Sequence, residues 1–288
     1  MTTNDAIPRR AYQGEVTIST VGFGGIILCG LDQQEANAAV LEAVERGVDY
    51  FDVAPTYGNG EAEEKLGPAL NPHRDRAFLA CKTTRRDGAG AVEELERSLR
   101  RLETDRFDLY QFHGIASMDD VDRILAPGGA AEAVLKARDE GKTRFVGFSA
   151  HSQPAAIRLM DELDLDSALF PINFVCFAEG GFGPAIIEHA RARGVARLSL
   201  KSMALTRWGE DERRTWAKCW YKPVPDAERA KRAVRFALSQ DITAVVPPGH
   251  LELFRLALEA AAEFKPMSEA EQAEMLEGAG GVEPIFRA

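Results

Sequence analysis

The chain is short of basic charge. Thirty-five Lys and Arg face 45 Asp and Glu, a net charge of -10. That balance argues against a non-specific nucleic-acid or anionic-membrane binder, which needs a basic face. Cysteine is scarce: Cys29, Cys81, Cys176 and Cys219 lie far apart, with no CxxC. Such usage argues against a disulfide framework or a zinc site and fits reduced thiols in a cytoplasm. No apolar run approaches the roughly 20 residues of a membrane helix, so no membrane partner is expected. Residues 1–10 (MTTNDAIPRR) hold no apolar h-region, so a cytoplasmic location without a secretory leader is expected. No His/Asp/Glu set shows metal-ligand spacing. A G-x-G-x-x-G turn after the first strand pattern is also missing, which speaks against a doubly wound dinucleotide-binding sheet.

What is present is an alternation of strand and helix patterns. Residues 10–25 begin with a polar stretch and a β-hairpin turning at Gln13-Gly14, and Ile18 to Gly24 reads as the first core strand. Gly22, Gly24 and Gly25 end it, either to admit a close ligand or merely to turn the chain. Strand patterns follow at Val48–Val53, Ala77–Lys82, Phe107–His113, Arg144–Ser149, Ala168–Val175, Val195–Leu200 and Ile242–Val246. Helical patterns separate them, at Glu35–Arg46, Glu61–Leu70, Ala91–Leu102, Ala130–Glu140, Gln153–Leu163, Pro184–Arg193, Asp226–Leu238 and Leu251–Phe264. Eight strand–helix units across 1–288 without a composition break predict an α/β protein, one (β/α)8 TIM barrel with an N-terminal β-hairpin. The tail from Pro266 onward has no place in the repeating pattern.

The stretch VDYFDVAPTYGNGEAEEKLGPAL, Val48–Leu70, organises the rest. Its strand delivers Asp52 and then Tyr57 to a C-terminal edge, a Gly58-Asn59-Gly60 turn follows, and Glu61, Glu63 and Glu64 open a helix where the macrodipole favours carboxylates. Lys82 and His113 end the next two strands, and Ser149, Asn173 and Lys201 the three after those. In a barrel such ends lie side by side at one face. The set suggests acid chemistry. A phenol titrates near 10, an adjacent ammonium favours the phenolate and lowers that value, and a carboxylate keeps the ammonium charged. A histidine can orient a substrate oxygen. Tyr57, Lys82, Asp52 and His113 could thus protonate a carbonyl oxygen, but none supplies a hydride, so reduction would need a nicotinamide.

The segments FDVAPTYGNGEAEEKLGPAL, AFLACKTT and DLYQFHG resemble the Asp–Tyr, Lys and His segments of the aldo-keto reductases. From about Ile18 through the eighth helix, that resemblance implies a (β/α)8 barrel binding NADP or NAD without a Rossmann domain. It makes Tyr57 the general acid/base, tuned by Lys82 and Asp52, with His113 orienting the carbonyl. It also implies a cofactor site drawn from Gly24, Gly25, Asp52, Ser149, Asn173, Leu200, Lys201, Pro248, Gly249, His250 and Arg255. The chain departs from the family pattern in several places. Ala150 follows Ser149, and Asn173 stands in for a strand-six glutamine. Leu200 takes the place of a stacking tyrosine. Pro247-Pro248-Gly249-His250, with Arg255 beyond, replaces the Lys-Ser…Arg pattern that meets a 2′-phosphate. Gly249 before a helix can still offer backbone N–H groups to a pyrophosphate.

The expected function is interconversion of a small carbonyl, sugar-like compounds among the candidates, and its alcohol. Two alternatives stand beside it: a Schiff-base lyase or aldolase, with Lys201 as its lysine, and a redox sensor that binds cofactor but turns over slowly. Trp208, Trp216, Cys219, Trp220 and Tyr221 form either a lid or a loop stapled to the rim. His151 is expected to be a solvated loop residue, His73 and His189 surface residues, and the Glu61–Glu64 cluster a plain helix start.

Overall fold

The computed structural model describes residues 6–288; residues 1–5 of the segment read for a leader lie outside the described residues. Strands β1 (Arg9–Gln13) and β2 (Val16–Ser19) form an antiparallel hairpin. Eight strands then make one parallel sheet: β3 (Phe23–Gly24), β4 (Tyr50–Asp52), β5 (Phe78–Thr83), β6 (Phe107–Ile115), β7 (Thr143–Ala150), β8 (Ser167–Pro171), β9 (Ala196–Leu200) and β12 (Ala244–Val246). A second hairpin, β10 (Ala204–Arg207) with β11 (Tyr221–Pro223), intervenes. The sheet closes on itself. Val21 bridges Val245 in parallel, the Gly22 N–H donates to Val245 O at 2.8 Å, and the Val245 N–H donates to Thr20 O at 2.9 Å.

The α-helices are α1 (Gln33–Glu45), α2 (Glu61–Leu70), α3 (Gly88–Arg101), α4 (Met118–Leu125), α5 (Ala130–Asp139), α6 (Gln153–Glu162), α7 (Phe174–Ala178), α8 (Pro184–Ala192), α9 (Ala227–Leu238), α10 (Leu251–Ala262) and α11 (Glu269–Glu277), and short 3-10 turns lie at Gly25–Leu28, Tyr57–Gly60 and Asn71–Arg76. None is long and apolar enough to cross a membrane. The expected (β/α)8 barrel and its N-terminal hairpin are both present.

Strand alternation sorts the core into two layers. Tyr50, Phe78, Ala80, Leu109, Leu169, Leu198 and Ala244 pack together inside the barrel, with Tyr12 and Ile18 of the hairpin. Phe51, Leu79, Tyr110, Phe112, Val146, Phe148 and Phe170 face the helices. The hairpin plugs the end where the strands begin. Gln13 donates to Asp166 O and Gly194 O, both at 2.8 Å, and Arg10 donates to Ile242 O at 2.7 Å. One end is thereby filled, leaving side chains at the other end to line a cavity.

Four local expectations change. Ile18 belongs to the hairpin rather than to a core strand running to Gly24, because closure against Val245 needs only the short segment around Val21–Gly24. The strand expected through Val175 stops at Pro171; Asn173 instead caps α7, its Oδ1 accepting from the Cys176 N–H at 2.8 Å. Between β6 and α5 the chain forms α4, whose N-terminus Ser117 and Asp120 close as a capping box. The tail contains α11, opened by Ser268 and Glu271 in the same way.

β7 and β8 approach closely at Gly147. A Cβ there would lie 2.5 Å from Ser167 Oγ and 2.6 Å from Ser167 O. Gly147→Ala is therefore expected to cost about 1–3 kcal/mol, as overpacking does. Urea denaturation measures it, and an unchanged midpoint would mean that the two strands can part without penalty.

Candidate functional site

Three of the four expected catalytic residues and the rim around them enclose a cavity of about 220 Å³ at the strand C-terminal ends. Asp52 is the last residue of β4, and the pleat turns it inward with Tyr50. Lys82 on β5 meets it as a fully buried ion pair, and its ammonium also donates to Val53 O at 3.1 Å. Asp52 Oδ2 accepts from Tyr50 Oη at 3.3 Å and from Gln111 Nε2 at 3.2 Å. Tyr50 and Gln111 were not singled out in the sequence. A glutamine inside the otherwise apolar FDLYQFH strand was the available signal, since β6 pairs Gln111 directly with Lys82.

Tyr57 is carried past the end of β4 by Pro55 and held by a left-handed turn, with φ of 61° at Gly58, 56° at Asn59 and 104° at Gly60. The turn is tight. A Cβ on Gly58 would sit 2.9 Å from Cys29 Sγ, and one on Gly60 would meet the Arg101 guanidinium. The Lys82 ammonium lies 5.4 Å from the Tyr57 ring centroid, and the His113 ring stands edge-on to that ring at 6.0 Å and 85°.

Burial raises the Tyr57 phenol above its ordinary value, although the Lys82 charge pulls it down. The expected net lowering is thus reversed, because desolvation of a phenolate outweighs one neighbouring ammonium. Burial alone would depress Lys82, but Asp52 holds it above the usual lysine value. Burial, then Lys82, Lys201 and Arg86, bring His113 down to about 3, so its ring is neutral at ordinary pH.

Of the residues expected around a cofactor, Gly24, Asp52, Leu200, Lys201, Pro248 and Gly249 line the cavity. The others are not in its wall. Ser149 Oγ accepts from the Gly114 N–H at 2.8 Å, and His250 Nε2 accepts from the Lys218 N–H at 3.1 Å. Arg255 is held bidentately by Glu42 at 2.7 and 2.8 Å. Asn173 is fully occupied at Oδ1 as a cap, while its Nδ2 is buried without a partner.

The loop between β10 and β11 contributes Lys218, Cys219 and Trp220 to the wall, and β11 contributes Tyr221. The loop is tied across the barrel mouth by Lys218 Nζ, which donates to Ile27 O at 2.7 Å, and is braced internally by Trp208 Nε1, which donates to Cys219 O at 2.9 Å. His151 corrects another expectation. It is not a solvated loop residue but a cavity-lining one, stacked on Phe286 at 4.7 Å and 6°, and burial drives its pKa down to about 2. Glu63 is likewise more than a helix start: it is fully buried and ion-paired with Arg101 at 3.2 Å.

The model of the aldo/keto reductase family matches residues 20–218. The chain belongs to this family. It is 27% identical over 276 residues to an uncharacterized oxidoreductase, YqkF, of Bacillus subtilis, covering 86% of this chain and 88% of that one. Its fold superposes on the aldo-keto reductase AKR11C1 of Bacillus halodurans in its holo form, with a TM-score of 0.76, 21% identity and 97% and 98% of the two chains covered. An aldo-keto reductase of Klebsiella pneumoniae in complex with NADPH aligns with a TM-score of 0.71 at 19% identity, over 95% of each chain. Family membership makes the chain an oxidoreductase.

The two half-buried imidazoles also predict how stability depends on pH. Each has a folded pKa far below the unfolded value near 6.5, so below that pH the unfolded chain binds more protons and stability falls as pH drops. Between pH 7 and 5 the wild-type melting temperature should decline, and the His113→Asn/His151→Asn double variant should decline less. Equal slopes would mean that both rings accept protons in the folded state.

Proposed function

We propose that this chain interconverts a small aldehyde or ketone and the corresponding alcohol, using NADPH or NADH. The convergence of Tyr57, His113 and the Asp52–Lys82 pair on one cavity supports the reading most directly. The lining suits a dinucleotide diphosphate: Lys218 is present, and the sole lining carboxylate among the described residues, Asp52, is already neutralised by Lys82. Gly24, Leu200, Lys218, Pro248 and Gly249 would hold the cofactor, which when bound supplies the hydride.

The chain's own part is positioning and proton transfer. Neutral His113 donates a hydrogen bond to the carbonyl oxygen and fixes its direction. Tyr57, kept protonated by burial, gives its phenolic proton to that oxygen as negative charge builds there. Lys82 then offsets the phenolate charge, and Asp52, held by Tyr50 and Gln111, keeps the ammonium in place. In the oxidative direction the same phenolate takes the alcohol proton back.

A second reading, a Schiff-base lyase, rests on Lys201. It has no carboxylate partner among the described residues, and burial pulls its pKa down to about 7, near what an amine nucleophile needs. Lys82 does not suit that chemistry, because Asp52 keeps it charged.

Tyr57→Phe keeps the ring and removes the transferable proton. Turnover should fall on the order of 10²–10⁴, the usual worth of general acid catalysis, with cofactor affinity nearly unchanged. A variant with near-wild-type kcat would remove Tyr57 from the reaction. The two readings separate under borohydride: with a carbonyl substrate and no cofactor, mass spectrometry should find neither Lys82 nor Lys201 modified. A stable adduct at Lys201 without NAD(P)H oxidation would establish the lyase instead.

A further inference from the structure

One corner of the cavity has no part in the proton transfer. Lys201 lines it just past β9, with φ of 61°, a left-handed conformation that residues with side chains rarely adopt. Such outliers persist where the surroundings fix them, often at ligand sites. Here the surroundings are specific. The ammonium donates to His151 Nε2 at 3.0 Å and lies 5.8 Å from the Trp220 ring centroid and 5.5 Å from that of Phe286. Phe286 is brought there by the tail: Thr206 Oγ1 donates to Glu283 O at 2.8 Å, Arg287 to Glu179 O at 2.8 Å and the Ala288 N–H to Gly180 O at 2.9 Å.

A fully buried ammonium is normally matched by a carboxylate, as Lys82 is by Asp52. The half-buried Lys201 instead has π faces and a neutral imidazole, which stabilise a cation without cancelling its charge. No carboxylate pairs with it among the described residues. In a chain of net charge -10, an unmatched cation kept inside a cavity selects for an anion there.

We propose that Lys201, held by His151 within the Trp220–Phe286 aromatic pair, is a subsite for the carboxylate of a carbonyl substrate, so that the chain acts on small aldehydes or ketones bearing a carboxylate a few carbons from the reacting carbon. The proposal rests on the reductase reading, which puts the reacting carbonyl at Tyr57 and His113. Lys218 is a different feature: its ammonium is tied to Ile27 O, and its backbone N–H donates to His250 just ahead of α10.

The test compares 4-oxobutanoate with butanal under NADPH and under NADH, in the wild type, Lys201→Met and Lys201→Arg, together with calorimetric titration of cofactor-free protein with benzoate. The wild type should favour 4-oxobutanoate at least tenfold in kcat/KM. That ratio should collapse in Lys201→Met, chiefly through KM, and return in Lys201→Arg, which also shows that a charge at this position is compatible with folding. Benzoate should bind Lys201→Met at least tenfold more weakly than wild type.

Equal use of the two aldehydes by the wild type would overturn the subsite while leaving the reductase reading intact. So would a preference that survives Lys201→Met, or a Lys201→Met defect confined to NADPH affinity, which would assign the charge to the cofactor. Turnover of neither aldehyde, with benzoate binding still dependent on Lys201, would instead overturn the reductase reading and leave the anion subsite standing.

Discussion

The ion pair between Asp52 and Lys82 is the constraint on which the site depends. Both groups are inaccessible to water, so each is affordable only because the other is present. Breaking such a pair from one side typically costs about 3–5 kcal/mol, since it strands a buried charge. The barrel satisfies the remaining bonding capacity with Tyr50, Gln111 and the Val53 carbonyl, all supplied by strands β4 and β6 and the turn after β4. The pair therefore fixes the register of three neighbouring strand ends. It also sets the electrostatic character of the cavity, in which the wall's one carboxylate among the described residues is already neutralised.

From that point the cavity divides by chemistry. On one side stand Tyr57 and a neutral His113, a proton donor and an orienting group whose protonation states are set by burial first and by Lys82 second. On the other side stand Lys201 and His151, a cation and a lone pair with no acid between them. Two lysines thus differ in role because their partners differ. Lys82, behind the cavity wall, is matched by a carboxylate and held above the ordinary value, whereas Lys201, in the wall and without a carboxylate partner among the described residues, is drawn down to about 7 by loss of water.

The same division explains the elements outside the eight-unit repeat. The first hairpin closes the end where strands begin, so the cavity lined by Asp52, Tyr57, His113 and Lys201 opens at the opposite one. The β10–β11 loop and the tail are additions at that open end. The loop is tied to Ile27 and His250, and the tail delivers Phe286 against His151. Their aromatic and cationic side chains complete the wall that the strands begin.

The sequence by itself determined the barrel and marked Asp52, Tyr57, Lys82 and His113 as candidates, because both are written in local pattern. Alternation of period 2 and period 3.6, a Gly-Asn-Gly turn and polar residues at strand ends each depend on neighbours in the chain. Only the tertiary structure decided the place of His151 in the cavity wall, the burial of Glu63, the capture of Arg255 by Glu42 and the surroundings of Lys201. Each depends on partners far away in sequence: His151 lies 50 residues from Lys201, Glu42 lies 213 from Arg255, and Lys218 lies 191 from Ile27. The direction of the Tyr57 shift was decided there too. A local reading sees the ammonium beside the phenol, but how much water the phenol loses is a property of the whole enclosure.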